Sequence, residues 1–114
     1  MKIREIAELL EAQIVCGEEA TDQEVCCGFA SDLMSDVLTL DSEQMVLITG
    51  LANMQVVRTA EMADVNCIVF VRNKKVTPEM REVANENDMV LLECSFSMFN
   101  TIGRLYVAGL KPVY

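Results

Sequence analysis

The chain has 114 residues, with 18 acidic side chains, 9 basic side chains and no histidine. A net charge of −9 repels nucleic acid and anionic lipid headgroups. The lack of histidine removes the commonest general base and the commonest transition-metal ligand of proteins. With 52% apolar residues and no linker-like stretch, the sequence predicts one globular domain over residues 1–114.

The cysteines and the N-terminus indicate a cytoplasmic protein. No apolar run approaches the roughly 20 residues that a membrane helix needs, and the charged start Met1–Glu5 is unlike a secretory signal. The odd number of cysteines favours reduced thiols. No Cys-x-x-Cys spacing is present, so we expect no zinc, iron–sulfur cluster or other cofactor. The cysteines are Cys16, Cys26, Cys27, Cys67 and Cys94.

The first part of the chain has an irregular pattern. Apolar residues at helical spacing predict a helix over residues 3–12, and a short apolar run predicts a strand at 14–16. Alternation over residues 25–29 predicts a half-buried strand, which would place Cys26 and Cys27 on opposite faces. We expect this helix and pair of strands to lie at one edge of the main sheet.

From residue 45 onward, apolar strands alternate with helices. The predicted strands cover residues 45–49, 67–71 and 89–92. They are nearly continuous apolar runs, which is typical of strands covered on both faces. Three strand–helix units in succession predict right-handed crossovers and one parallel sheet. The fold class is therefore α/β, three-layer-like, with a mainly parallel sheet, an N-terminal helix and a strand pair.

Capping residues mark where the three later helices begin. Asn53 precedes a helix that extends to about residue 64, and Thr77 precedes a helix with proline at its first position. Ser95 or Ser97 begins the last helix, which ends at a glycine. Its apolar side chains are expected to point inward. These are Met98, Phe99, Ile102, Leu105 and Tyr106.

The order and spacing of these segments resemble the DRTGG domain. The resemblance rests on Leu47–Gly50, Ile68–Val71, Val90–Leu92 and Ser97–Thr101, and the segment Gly28–Leu38 resembles a standalone group of such proteins. This domain occurs in some phosphotransacetylases and beside CBS domains, and its fold is similar to the N-terminal domain of HPr kinase/phosphorylase. Standalone members are often encoded near iron hydrogenases.

The residues that give the domain its name are replaced in this chain. Ala52-Asn53 stands where the Asp-Arg pair is expected, and Val71-Arg72-Asn73 stands where Thr-Gly-Gly is expected. The resemblance implies a regulatory or ligand-sensing domain and no established reaction. An adaptor that binds another polypeptide, linked to iron-hydrogenase metabolism, is the alternative.

Polar and basic residues follow the predicted parallel strands, where ligands bind in open α/β sheets. The loops at 49–53, 72–75 and 93–95 would meet there, with free backbone N–H groups and positive charge for a small anion. The same residues also fit a glycine turn, a helix cap and a solvated basic loop. No phosphate-loop motif is present. The candidate ligand-binding residues are Thr49, Gly50, Asn53, Arg72, Lys74 and Ser95.

Two Ser-Asp pairs are four residues apart, at Ser31-Asp32 and Ser35-Asp36. In a helix both pairs would share one face, opposite the apolar residues between 33 and 38, and would form a patch for a cation or a protein partner. The alternative is a capped short helix with a solvated acidic face.

The high apolar content also bears on the oligomeric state. A chain this small leaves about a third of its extended surface exposed, so an apolar patch and a homodimer are expected. The expected contacts are Leu33–Leu38, Met54 and Leu110–Tyr114. Together with the regulatory role that the resemblance implies, these features predict a non-enzymatic module that acts as a dimer and binds a small anionic metabolite or nucleotide, and neither nucleic acid nor membrane. No catalytic residue is assigned.

Overall fold

A computed structural model describes the whole chain, residues 1–114. The helices are α1 (Ile3–Leu9), α2 (Met34–Val37), α3 (Met54–Met62), α4 (Pro78–Glu86) and α5 (Met98–Val107). The strands are β1 (Gln13–Cys16), β2 (Cys27–Ala30), β3 (Met45–Thr49), β4 (Cys67–Phe70), β5 (Val90–Glu93) and β6 (Lys111–Pro112). None of the helices has the length and apolar character required to cross a membrane.

All six strands form one sheet in the order β1-β5-β4-β3-β2-β6. Strands β2 to β5 are mutually parallel, β6 is parallel to β2, and β1 is antiparallel to β5. The predicted α/β fold and the parallel order of β3, β4 and β5 are confirmed. At its outer edge β1 changes register between Ile14 and Cys16.

The expected position of the two N-terminal strands is wrong. They do not lie together at one edge, because β1 pairs with β5 whereas β2 pairs with β3 on the other side. Both strands have only four residues. A short strand pattern indicates how deeply the strand is buried, but it does not indicate which distant edge accepts it.

Helices cover both faces of the sheet, giving three layers. Helices α2, α3 and α4 pack on one face against inward side chains such as Leu47 and Phe70. Helices α1 and α5 pack on the other face against Ile48 and Val69. Adjacent strand residues point to opposite faces, so coverage of both faces accounts for the continuous apolar runs of the central strands.

The three predicted helix caps are present. The side chains of Asn53 and Thr77 accept hydrogen bonds from the backbone N–H groups of Val56 and Met80, each at 3.2 Å. Of the two candidate serines, Ser97 caps α5. Gly109 follows α5 with φ of +104°, the left-handed conformation that glycine adopts without strain.

The inward orientation expected for α5 is wrong for three of five residues. Leu105 is 2% exposed, but Phe99 and Tyr106 are 88% and 67% exposed, and Ile102 also reaches the surface. The helix touches the sheet along Leu105 and the buried Thr101, with Met98 half-buried. Because α5 is apolar on more than one side, its pattern did not specify which stripe packs inward.

The expected separation of Cys26 and Cys27 is also wrong. Their sulfur atoms lie 3.2 Å apart. Strand β2 begins at Cys27, so Cys26 precedes the strand and the alternation of faces does not apply to it. All five cysteines are free thiols.

Candidate functional site

The candidate site lies at the edge of the sheet where the parallel strands β2 to β5 end, here called the carboxyl edge. Parallel strands end on the same side, so the residues after each strand come together there. The structure brings together Thr49 and Gly50 after β3, Arg72 after β4 and Asp32 after β2. Three of these four belong to the predicted ligand site.

The Asp32 carboxylate is held by two donors of the β3 loop. Its Oδ1 accepts a hydrogen bond from the Thr49 hydroxyl at 3.0 Å and another from the Gly50 N–H at 2.7 Å. The Thr49 Oγ1 in turn accepts from the Leu51 N–H at 3.2 Å. Thr49 is fully buried, which fixes its hydroxyl in this position. The loop thus presents donors that already hold one anion.

Arg72 contributes positive charge to the same group. Its Nη2 donates to the carbonyl oxygen of Gly50 at 3.1 Å and lies 3.7 Å from Asp32 Oδ2. Both Arg72 and Asn73 have φ near +60°, which is uncommon for residues other than glycine. Their N–H groups donate to the carbonyl oxygens of Phe96 and Cys94, at 2.8 and 3.0 Å. These backbone bonds hold the loop that positions the guanidinium.

Of the other predicted ligand residues, Lys74 and Ser95 are exposed in the neighbouring loops and Asn53 caps a helix. Lys74 is exposed and its ammonium group has no ion-pair partner. Lys75 pairs with Glu93 at 3.6 Å, and Glu93 also accepts from the Val76 N–H at 2.8 Å. Ser95 is exposed, and Asn53 is engaged as the α3 cap. Lys74 therefore adds an unneutralised charge beside Arg72.

The two Ser-Asp pairs do not share one helix face, as a joint cation or partner patch would require, and the short helix with a solvated acidic face is the nearer of the two alternatives. Helix α2 begins only at Met34, and the Ser31 hydroxyl accepts from the Leu33 N–H at 2.9 Å in the turn before it. Ser35 and Asp36 are exposed on α2, whereas the Asp32 carboxylate contacts Gly50. No group of three or more acidic or cysteine side chains is arranged to hold a metal ion.

Only half of the apolar side chains between residues 33 and 38, which were expected to share one buried face, are buried. Met34 and Val37 are buried, but Leu33 and Leu38 are 58% and 51% exposed. A helix of four residues has only one turn, so it buries two of the four apolar side chains. The remaining two form part of the surface.

Sequence reasoning missed Asp32 as a member of the carboxyl edge. The predicted strand at residues 25–29 could have indicated its position, but we expected that strand at an edge of the sheet beside the other N-terminal strand, whereas it pairs with β3. Placed parallel to β3, that strand brings the residues after it to the same edge as Gly50.

The carboxyl edge is an open surface, not a deep cleft. Gly50, Arg72 and Lys74 are absent from the linings of five cavities found elsewhere on the molecule. The smallest of them, about 90 Å³, lies instead between β2, β6 and α5, beside Ile48 and Leu105. A ligand at the carboxyl edge would therefore be held by charge and hydrogen bonds, not by enclosure.

Three thiols have perturbed acidity. Complete burial raises the pKa of Cys67 to about 12. Burial, followed by the charge of Glu19, raises the pKa of Cys16, and the hydrogen bond to Cys27 is the main cause that raises the pKa of Cys26. The thiolate is the nucleophilic form. Raised pKa values therefore make these three thiols poor nucleophiles at neutral pH.

No protein-family model matches the sequence, and no curated protein matches it. The structure is similar to the CBS and DRTGG domains of the regulatory region of Clostridium perfringens pyrophosphatase, crystallised with its activator, diadenosine tetraphosphate. The TM-score is 0.73 at 18% sequence identity, over 98% of this chain and 48% of that chain. This chain thus spans about half the length of its structural neighbour. The likeness shows that the fold is of the CBS/DRTGG-like kind.

Proposed function

We propose that this chain is a single-domain, cytoplasmic regulatory module that binds a small anionic metabolite or nucleotide at its carboxyl edge and acts as a homodimer. The proposed ligand-binding residues are Thr49, Gly50, Asn53, Arg72, Lys74 and Ser95. The proposal assigns the chain no catalytic step, since the perturbed thiols are poor nucleophiles and no histidine is available as a base.

One observation carries this proposal: the edge already binds an anion that belongs to the chain. The Asp32 carboxylate accepts from Thr49 and Gly50 and lies beside the Arg72 guanidinium. A phosphate oxygen has the same need for N–H, O–H and guanidinium donors as a carboxylate. A ligand phosphate would bind at the exposed side of Arg72 and at Lys74, or would replace Asp32.

The structural neighbour supports the same class of function. It is a regulatory region whose activator is a dinucleoside polyphosphate. Arg72 and Lys74 together outnumber the single carboxylate of Asp32, which leaves this group of three side chains with a charge of +1 in a chain whose net charge is −9. In a generally repulsive field, a local basic cluster favours a small anion over a large polyanion such as nucleic acid.

A thermal-shift panel tests the proposed ligand class. The panel contains nucleotides, diadenosine polyphosphates, phosphorylated metabolites and acyl cofactors. A ligand present at 100 times its Kd stabilises the folded state by about 2.7 kcal/mol. For a domain of about 100 residues, each 1 kcal/mol raises the midpoint by roughly 4–8 °C. We expect at least one phosphorylated compound to give such a shift.

Charge-removing variants then locate the binding site. Arg72→Gln is expected to reduce the shift strongly, because it removes the guanidinium beside Gly50. Arg58→Gln is the matched control, since Arg58 is exposed on α3 and forms no ion pair. An equal loss in both variants would indicate general electrostatic attraction and contradict the site. A flat response across the whole panel would contradict the ligand class.

A second candidate function is an adaptor that binds another polypeptide, linked to iron-hydrogenase metabolism. The observation that favours it is the exposed apolar pair Leu33 and Leu38 beside the acidic residues Asp32 and Asp36. This candidate predicts no shift in the ligand panel. It also predicts that Leu33→Glu abolishes calorimetrically measured binding to a purified iron hydrogenase or one of its accessory proteins, whereas Arg72→Gln leaves that binding intact.

A further inference from the structure

Helix α5 carries an apolar stripe that faces solvent. The stripe has the spacing i, i+3, i+4, i+7, i+8, and its members are Phe99, Ile102, Gly103, Tyr106 and Val107. Phe99 and Val107 are 88% and 87% exposed. Such spacing is typical of the face by which a helix packs on a core. Here the sheet is contacted by a different stripe of α5, and the chain covers the exposed one only in part, where Ile102 and Tyr106 border the small cavity beside β2 and β6.

The charge distribution indicates which partner this stripe fits. All 18 acidic residues lie between residues 5 and 93, and residues 94–114 contain none. The single charged residue of α5 is Arg104, whose guanidinium lies 4.3 Å from the centroid of the Phe96 ring. Two copies that each carry −9 can therefore meet along this helix with no carboxylate on either α5, and Glu5 and Glu8 of α1 lie only at its margin, beside Ala108.

Gly103 gives the stripe a centre that suits pairing with itself. An ideal β-carbon at Gly103 would have no neighbour within 4 Å, so nothing inside the chain requires a glycine there. Phe99 lies four residues before it and Val107 four residues after it. In an antiparallel pair of helices crossing at Gly103, Phe99 of one copy meets the partner's Val107, and the reverse contact follows from the two-fold axis. The missing side chain allows the backbones to approach closely.

We propose that the exposed stripe of α5 is the homodimer interface, with two copies related by a two-fold axis beside Gly103. This inference rests on the homodimer in the proposed function and gives it a location. An aromatic side chain buries about 150–250 Å² when it is fully covered, so Phe99 and Tyr106, which are 88% and 67% exposed, supply at most roughly 230–390 Å² per copy. A stable interface needs about 600–1,000 Å² per copy. Ile102, Val107 and the exposed backbone at Gly103 extend the contact toward that area.

The test is the substitution Gly103→Leu, measured by light scattering on a sizing column. The isolated fold has room for the new side chain, and leucine is a better helix former than glycine. The thermal midpoint of the monomer should therefore not fall. A leucine at the crossing point would separate the two helices. We expect the wild type to elute with a mass of about twice 12.7 kDa and Gly103→Leu to show at least a tenfold higher dimer Kd.

A second variant and a matched control complete the experiment. Phe99→Glu puts an acid onto a helix that has none and should also raise the Kd at least tenfold. Leu38→Glu makes a similar change at a half-exposed apolar residue directly after α2, within the other predicted contact, and should leave the Kd unchanged. If Gly103→Leu and Phe99→Glu remained dimeric, the interface would not lie on α5, although the homodimer itself would stand. If the wild type were a monomer, both the homodimer and its interface on α5 would be overturned. Neither outcome bears on ligand binding, which the thermal-shift panel measures separately.

Discussion

The guanidinium of Arg72 fills the space that a side chain at residue 50 would need. An ideal β-carbon on Gly50 would lie 2.7 Å from Arg72 Cζ, far inside van der Waals contact. The φ angle of Gly50 is not in the left-handed region, so the glycine is required for space and not for backbone conformation. The proposed ligand site thus includes a close approach between two loops.

Gly50→Ala is expected to lower the free energy of unfolding by about 0.5–1.5 kcal/mol, the contribution of one hydrogen bond, because the half-exposed end of Arg72 can swing away from the Gly50 carbonyl and relieve the clash. Urea denaturation of the purified variant measures the change. The same substitution in an Arg72→Ala background should cost much less, since the clashing group is gone. Equal costs in both backgrounds would show that the two residues are not in contact.

Asp32→Asn is expected to strengthen anion binding at the carboxyl edge. The amide oxygen can still accept from Thr49 and Gly50, but the negative charge that competes for Arg72 is lost. Titration calorimetry with inorganic tripolyphosphate should show severalfold tighter binding than the wild type, and the difference should shrink as salt is added. Weaker binding by Asp32→Asn would mean that Asp32 contacts the ligand and does not compete with it.

Asn53→Asp separates the capping role of Asn53 from its proposed ligand role. Aspartate caps helices about as well as asparagine, so the free energy of unfolding should change little, whereas Asn53→Ala should lose about 0.5–2 kcal/mol. The added carboxylate at the edge should weaken tripolyphosphate binding. Unchanged affinity in Asn53→Asp would remove Asn53 from the ligand site and leave it as a cap alone.

The buried thiol of Cys67 should make stability depend on alkaline pH. Its pKa is about 12 in the folded chain against an ordinary value of 9.0. The neutral form is therefore favoured by folding. This stabilisation is complete below pH 9 and is lost as the pH rises toward 12, by about 1.4 kcal/mol per pH unit. In Cys67→Ala the fall in unfolding free energy between pH 9 and 12 should be correspondingly smaller, as followed by circular dichroism. If the unfolding free energies of the wild type and of Cys67→Ala fell equally between pH 9 and 12, the prediction would be contradicted.

The central βα units were predictable because their signals are local. Each of β3, β4 and β5 is a continuous apolar run, and Asn53, Thr77 and Ser97 each satisfy an N–H group within the same turn. Such features require no knowledge of distant residues.

The parts that could not be predicted depend on long-range pairing. The sequence pattern cannot reveal that β1 lies beside β5, and the same uncertainty concealed Asp32 from the carboxyl edge. Helix α5 presents a related ambiguity, since Leu105 and Phe99 belong to competing apolar stripes and only the packed structure selects one.

The position of β6 at the outer edge of the sheet affects how the protein can aggregate. Pro112 has no backbone N–H, so this edge offers a poor template for an incoming strand. At the opposite edge, the irregular register of β1 at Ile14 and Cys16 disturbs the regular ladder that strand addition would extend. Both edges of the sheet are therefore poor templates for edge-to-edge strand pairing, the route by which amyloid-like fibres grow.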